Sequence, residues 1–87
     1  MDIKQDVLKP QMKDIFNLLY AKDCFELKLH LLRIDYINKN EYEKNEIDIE
    51  RIKCEISIRR LKKEVNRKIK ELKDTITLFE FSIEEQS

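Results

Sequence analysis

None of the 87 residues is glycine, and that constrains the fold of this chain more than any motif it carries. Tight hairpin turns, bulges and close backbone approaches lean on glycine's access to positive φ, so a many-stranded sheet is hard to assemble from this sequence. Phosphate-cradling loops and dinucleotide fingerprints, which are built on glycine, are excluded for the same reason. What remains is rich in Ile, Leu, Lys and Glu, residues that suit helices when they recur every three or four positions.

They recur that way most clearly between Ile47 and Ile83. An apolar series through Ile49, Ile52, Ile56, Leu61, Val65, Ile69, Leu72, Ile76, Phe79 and Ile83 predicts one long amphipathic helix, over about residues 42–83. The first three fit one heptad and the series from Val65 onward fits another. The nine-residue step from Ile56 to Val65 puts them out of phase, which predicts a change of packing partner near Arg59 and Arg60.

Upstream, Asp2 and Gln5 have the spacing of a capping box, and Pro10 suits the first turn of a helix. The principal first helix is predicted over residues 10–21, with Met12, Ile15, Phe16 and Leu19 on its buried side; the alternative is one helix that runs through Pro10 with a kink. Asp23 and Glu26 repeat the start signal, so a second helix is predicted over residues 24–38. Its apolar residues form two rows, Leu27, Leu31 and Ile34 beside Phe25, Leu29, Leu32 and Tyr36, a face broad enough for more than one neighbour. Asn38-Lys39-Asn40 marks the turn into the long helix.

The fold class expected is all-α: a helical hairpin or three-helix bundle with a long, coiled-coil-like C-terminal helix, forming one domain. At 1.5 Å per residue the long helix measures roughly 55 to 65 Å and the second roughly 20 Å. The second helix therefore covers only the first third of the long one, the first helix the middle, and a C-terminal overhang remains. The alternative is α+β, because Phe25, Leu27, Leu29 and Leu31 also alternate with polar residues, as do Ile52, Cys54, Ile56 and Ile58, and a central two-stranded hairpin would fit.

Charge balances overall, 18 basic residues against 18 acidic, so no global attraction to nucleic acid or to anionic membranes is implied. Its distribution is uneven: residues 59–73 hold eight basic and two acidic residues, with acidic stretches on either side. No apolar run is long enough to span a bilayer, and the first residues lack the plan of a signal peptide, which predicts an intracellular, cytoplasmic protein with reduced thiols at Cys24 and Cys54. The two cysteines lie equally far from residue 39, so an antiparallel hairpin would set them at similar height, either as two small buried side chains or as a crosslink.

No catalytic, cofactor-binding or metal-ligating set is identified. His30 is the one histidine, and neither cysteine stands at a ligand spacing from it, so it reads as a surface residue. Two candidate binding surfaces emerge. Arg59, Arg60, Lys63, Arg67, Lys70 and Lys73 form a basic face suited to phosphates or to acidic protein, without the interleaved aromatics that base stacking needs. Leu72, Ile76, Leu78, Phe79, Phe81 and Ile83 form an apolar surface suited to a partner. The expectation is a non-enzymatic interaction module, a small helical regulator or inhibitor of the kind phages and mobile elements encode. It binds another protein or itself as a homodimer, with neither membrane nor small-molecule substrate. The alternative is a nucleic-acid-binding accessory protein using the basic face.

Overall fold

A computed structural model of the chain describes the backbone of residues 3–86 and the side chains of residues 6–80. It is a helical hairpin. Helix α1 runs from Ile3 to Tyr36 and helix α2 from Glu41 to Gln86. The long dimension of the molecule is 69 Å, against 20 and 12 Å across. That is about the length of a 46-residue helix at 1.5 Å per residue, so α2 spans the molecule from end to end. No strand occurs among the described residues, so the alternative with a central β-hairpin is not what forms. The alternation of Phe25, Leu27, Leu29 and Leu31 resolves instead into two rows of one helix.

The turn occupies residues 37–40, as the asparagines predicted. Asn40 caps α2: the Glu43 backbone N–H donates to Asn40 Oδ1 at 2.9 Å, and the Lys44 N–H donates to the Asn40 carbonyl at 2.8 Å. No residue there has positive φ, so these asparagines serve by capping and not by left-handed backbone. Lys39 pairs with Asp35 at 3.6 Å and closes the end of α1.

The expected division of the first half into helices over 10–21 and 24–38 does not occur. Helix α1 passes through both Pro10 and Asp23 without a break. An interior proline costs roughly 3 kcal/mol and an interior aspartate well under 1. Packing against α2 from Leu8 to Tyr36 outweighs both. The residues of α1 that face α2 are Leu8, Gln11, Ile15, Leu18, Lys22, Phe25, Leu29, Leu32 and Tyr36, alternating steps of three and four with no interruption at either breaker. Pro10 lies exposed, off that seam. Asp23 is also exposed, and Lys22 reaches both expected capping residues, Glu26 at 3.6 Å as an ordinary i,i+4 pair and Asp23 at 3.9 Å. The expected cap at Asp2 and Gln5 lies outside the described side chains.

Along α2 the seam runs through Ile47, Arg51, Cys54, Ile58, Leu61, Val65, Lys68, Leu72, Thr75 and Phe79, every one buried or half-buried. This overturns the phase expected for the first third. Ile49, Ile52 and Ile56 are 54%, 49% and 42% exposed and lie on the outer face. The heptad break predicted near Arg59 disappears with them. A straight helix can present only one phase to a neighbour of this length. The apolar positions from Ile58 to Phe79 set that phase, and extending it backward delivers Cys54, Arg51 and Ile47 to the seam. The best-buried cluster is Leu29 with Cys54 and Ile58, flanked by Phe25 and Leu32.

One unbroken α1 also removes the expected overhang. Gln11 Nε2 donates to Thr75 Oγ1 at 3.4 Å, and α1 continues eight residues, roughly 12 Å, beyond Gln11 toward its start. That carries it to within about a turn of the end of α2.

Candidate functional site

The outer face of α2 carries one stripe of three- and four-residue steps through Ile49, Ile52, Ile56, Arg59, Lys63, Asn66, Lys70 and Lys73. It is apolar in its first third and basic after Ile56. All five of Arg59, Lys63, Asn66, Lys70 and Lys73 are exposed, and the four cations form no ion pair among the described residues. From Arg59 to Lys73 they extend along roughly 21 Å of helix. Arg60 and Lys62 are exposed to either side of this row.

Arg67 does not join them. It lies on the flank nearer Glu64 and Glu71, and both claim it: its Nε donates to Glu64 Oε2 at 3.1 Å, its Nη2 bonds to the other oxygen of Glu64, and its Nη1 donates to Glu71 at 2.6 Å. These bonds from Arg67 hold the Glu64 carboxyl below the usual carboxylate range, and the same contacts raise the Arg67 guanidinium further. Its charge is therefore compensated within the chain. The basic run expected as one surface divides into a free row and a neutralised arginine.

The apolar C-terminal surface is not brought together either. Leu72 and Phe79 are half-buried in the seam against α1. Ile76, 39% exposed, sits on one flank of that seam, and Leu78, 69% exposed, on the other. Phe81 and Ile83 lie outside the described side chains. Because α1 reaches this far, Leu72 and Phe79 of the expected surface are used by the hairpin itself, while Ile76 and Leu78 stay exposed.

A second exposed apolar row is larger. Phe16, Tyr20, Leu27, Leu31 and Ile34 stand out from α1 at between 55% and 73% exposure. Two of these rows were visible in the sequence as the double apolar face of residues 25–36; the structure sends one row inward and leaves Leu27, Leu31 and Ile34 outside. Phe16, expected inside, is 61% exposed, and Met12 is 44% exposed. Helix α1 is apolar on both sides, whereas α2 is apolar on its outer side only near Ile52.

Cys24 is exposed and Cys54 buried, and both are free thiols. They do not face one another: Cys54 sits in the seam, Cys24 on the outside of α1. His30 is exposed. Among the described residues no group of three His, Cys, Asp or Glu side chains gathers at a metal-binding distance, and no helix is long and apolar enough to cross a membrane. The concavities are shallow grooves along the seam, such as one of about 310 Å³ lined by Leu32, Tyr36, Ile47 and Arg51.

Compared with protein-family models, curated proteins and solved structures, the chain matches none.

Proposed function

We propose that this chain is a non-enzymatic interaction module, a helical hairpin that works with its outer faces covered by another macromolecule, a second copy of itself included. The observation that carries this reading is surface area. The molecule exposes 7236 Å². A compact monomer of 10.6 kDa is expected to expose roughly 5,500 Å², leaving an excess of about 1,800 Å². Doubled over two partners, that excess falls within the roughly 2,000 to 5,000 Å² that obligate homodimers bury. Part of it is contributed by large apolar side chains on the outside of both helices, and surface of that kind is a mark of an interface. A small regulator or inhibitor that acts by occupying a partner, with a coiled-coil-like seam as its frame, has this build. A cytoplasmic location belongs to the same reading.

Light scattering after size exclusion, at low and at high salt, tests it. A dimer at both salts is the expected result, because apolar burial does not weaken with ionic strength. A monomer at both removes self-association.

The free row of Arg59, Lys63, Lys70 and Lys73 supports a second reading, binding to the phosphates of nucleic acid. Affinity for a generic duplex would then fall steeply with salt and be lost on reversing Lys63 and Lys70 to Glu. Salt-insensitive or absent binding disposes of it.

A further inference from the structure

We infer that the outer stripe of α2 is the seat of a second copy of this chain, the two α2 helices packing antiparallel with their twofold axis at Ile52. This rests on the self-association proposed above and specifies its face.

The stripe is apolar from Ile49 to Ile56 and basic beyond, and the exposed Glu41 and Glu46 precede it. Ile49 and Ile56 stand on either side of Ile52, so a twofold axis there lays Ile49 of each copy against Ile56 of the other, and Ile52 against itself. These three are 54%, 42% and 49% exposed in the single chain, with nothing of its own to cover them. Beyond this centre the charges are complementary under the same axis. Glu46 lies six residues before Ile52 and Arg60 eight after, on the same flank of the stripe; Glu41 lies eleven before and Lys62 ten after, on the other. Each pair occurs twice by symmetry, giving four opposite-charge contacts between copies. All four residues are exposed and form no ion pair within the described chain. Such contacts select orientation and register more than they add affinity. A parallel pairing would set Glu46 against Glu46 and Arg60 against Arg60.

The charges that the axis would bring into conflict are already compensated at home. Asp48 and Glu55 fall opposite one another's copies, and Arg51 holds both, at 3.5 and 3.4 Å. Lys53, beside the axis, reaches Glu50 at 3.5 Å.

The outer row of α1 is the competing seat, and its charges argue against a second copy there. An antiparallel pairing that centres Leu27 and Leu31 on one another places His30 against its own counterpart and Lys28 against its own, Lys28 being held, like Lys53, by Glu50 at 3.5 Å. Glu26 and Arg33 would form an opposite pair there, but Glu26 is already held by Lys22 at 3.6 Å, so the row offers no free complementary pair to set a register.

The test uses the full chain. In a Cys24→Ser background, Ile52→Cys is expected to give a disulfide-linked dimer on mild oxidation, because a helix pair brings alpha carbons on its axis within bridging distance, about 7 Å. Lys73→Cys in the same background is expected to give none. Glu46→Arg alone and Arg60→Glu alone should each weaken the dimer by roughly tenfold, and the two together should restore it. Ile52 is off the seam, so Ile52→Glu should leave helicity by circular dichroism intact and abolish the dimer. A dimer that survives Ile52→Glu but is lost with Leu31→Glu overturns this face and leaves self-association standing. Failure of the paired charge exchange to restore association overturns the register. A monomer before any substitution overturns both this inference and the self-association on which it rests.

Discussion

Gln11 and Thr75, 64 positions apart in the chain, meet in the seam near the open end of the hairpin, the amide of one donating to the hydroxyl of the other at 3.4 Å. The amide oxygen of Gln11 is buried and has no partner. A polar layer in a mainly apolar seam fixes register at a cost in stability, because only one alignment lets the two groups meet. Gln11→Leu is therefore expected to raise stability by about 1 kcal/mol in urea unfolding, since it removes the orphaned oxygen and the bond together. Thr75→Val alone strands more of the amide and is expected to lower it. A loss with Gln11→Leu would show that the layer is worth more than its desolvation.

The phase of α1 can be checked by two leucines two residues apart. Leu29 is 8% exposed in the seam and Leu27 is 60% exposed on the outer row. Leu29→Ala should cost about 2 to 5 kcal/mol in denaturant unfolding, and Leu27→Ala well under half of that. Equal effects would mean that the outer row is as deeply packed as the seam.

Thiol labelling separates the two cysteines. Cys24 is exposed and should react with a small disulfide reagent at the rate of an unprotected thiol, while Cys54, 2% exposed, should react only as the hairpin opens. Denaturant should bring the second rate up to the first. Rapid reaction of both in the native protein would contradict the seam phase of α2.

Acid should act partly through Glu64. Its carboxyl is held below the ordinary value of 4.5, chiefly by the hydrogen bond from Arg67, so the folded state favours its ionised form. That contribution is complete above pH 4.5 and is lost as pH falls through the lower folded-state value. Helicity followed by circular dichroism should decline over that acidic range, and Glu64→Gln should remove a small part of the decline. The share is small because the group is exposed and solvent screens it. An unchanged acid profile would mean that the Arg67 contacts carry no free energy in solution.

Much of this fold was legible in the residues. The absent glycine and the three- and four-residue spacing pointed to helices, Asn40 to the turn, and Leu61, Val65, Leu72 and Phe79 to the inner face of α2, where Lys68 and Thr75 take the places expected of Ile69 and Ile76. The rest was decided by tertiary contact, which local signals do not report. Pro10 and Asp23 are good start signals, and the sequence around them offers helix breaks; a continuous partner 46 residues long outweighs them. Ile49, Ile52 and Ile56 are more apolar than Arg51 and Cys54, yet the rigid helix has one phase and its longer apolar part chose it. Of the candidate surfaces, the basic row survived as a row because its members share a stripe. Arg67 left it because Glu64 and Glu71 stand three and four residues away, a pairing the sequence did display. The loss of Leu72 and Phe79 from the C-terminal surface to the seam was not recoverable, because it depended on how far α1 extends alongside.

The four-residue turn at 37–40 joins α1 and α2 at one end only, and each rung of the seam above it stands alone between two parallel rods. Under mechanical load this makes direction decisive. A pull applied at Asp6 and Glu80, which lie at the same end, would peel the rungs one after another at low force, with the Gln11 to Thr75 layer among the first to part. A pull along the rods would load every rung at once. The hairpin is a zipper with its slider at residue 40, easily opened from the far end and stiff along its length.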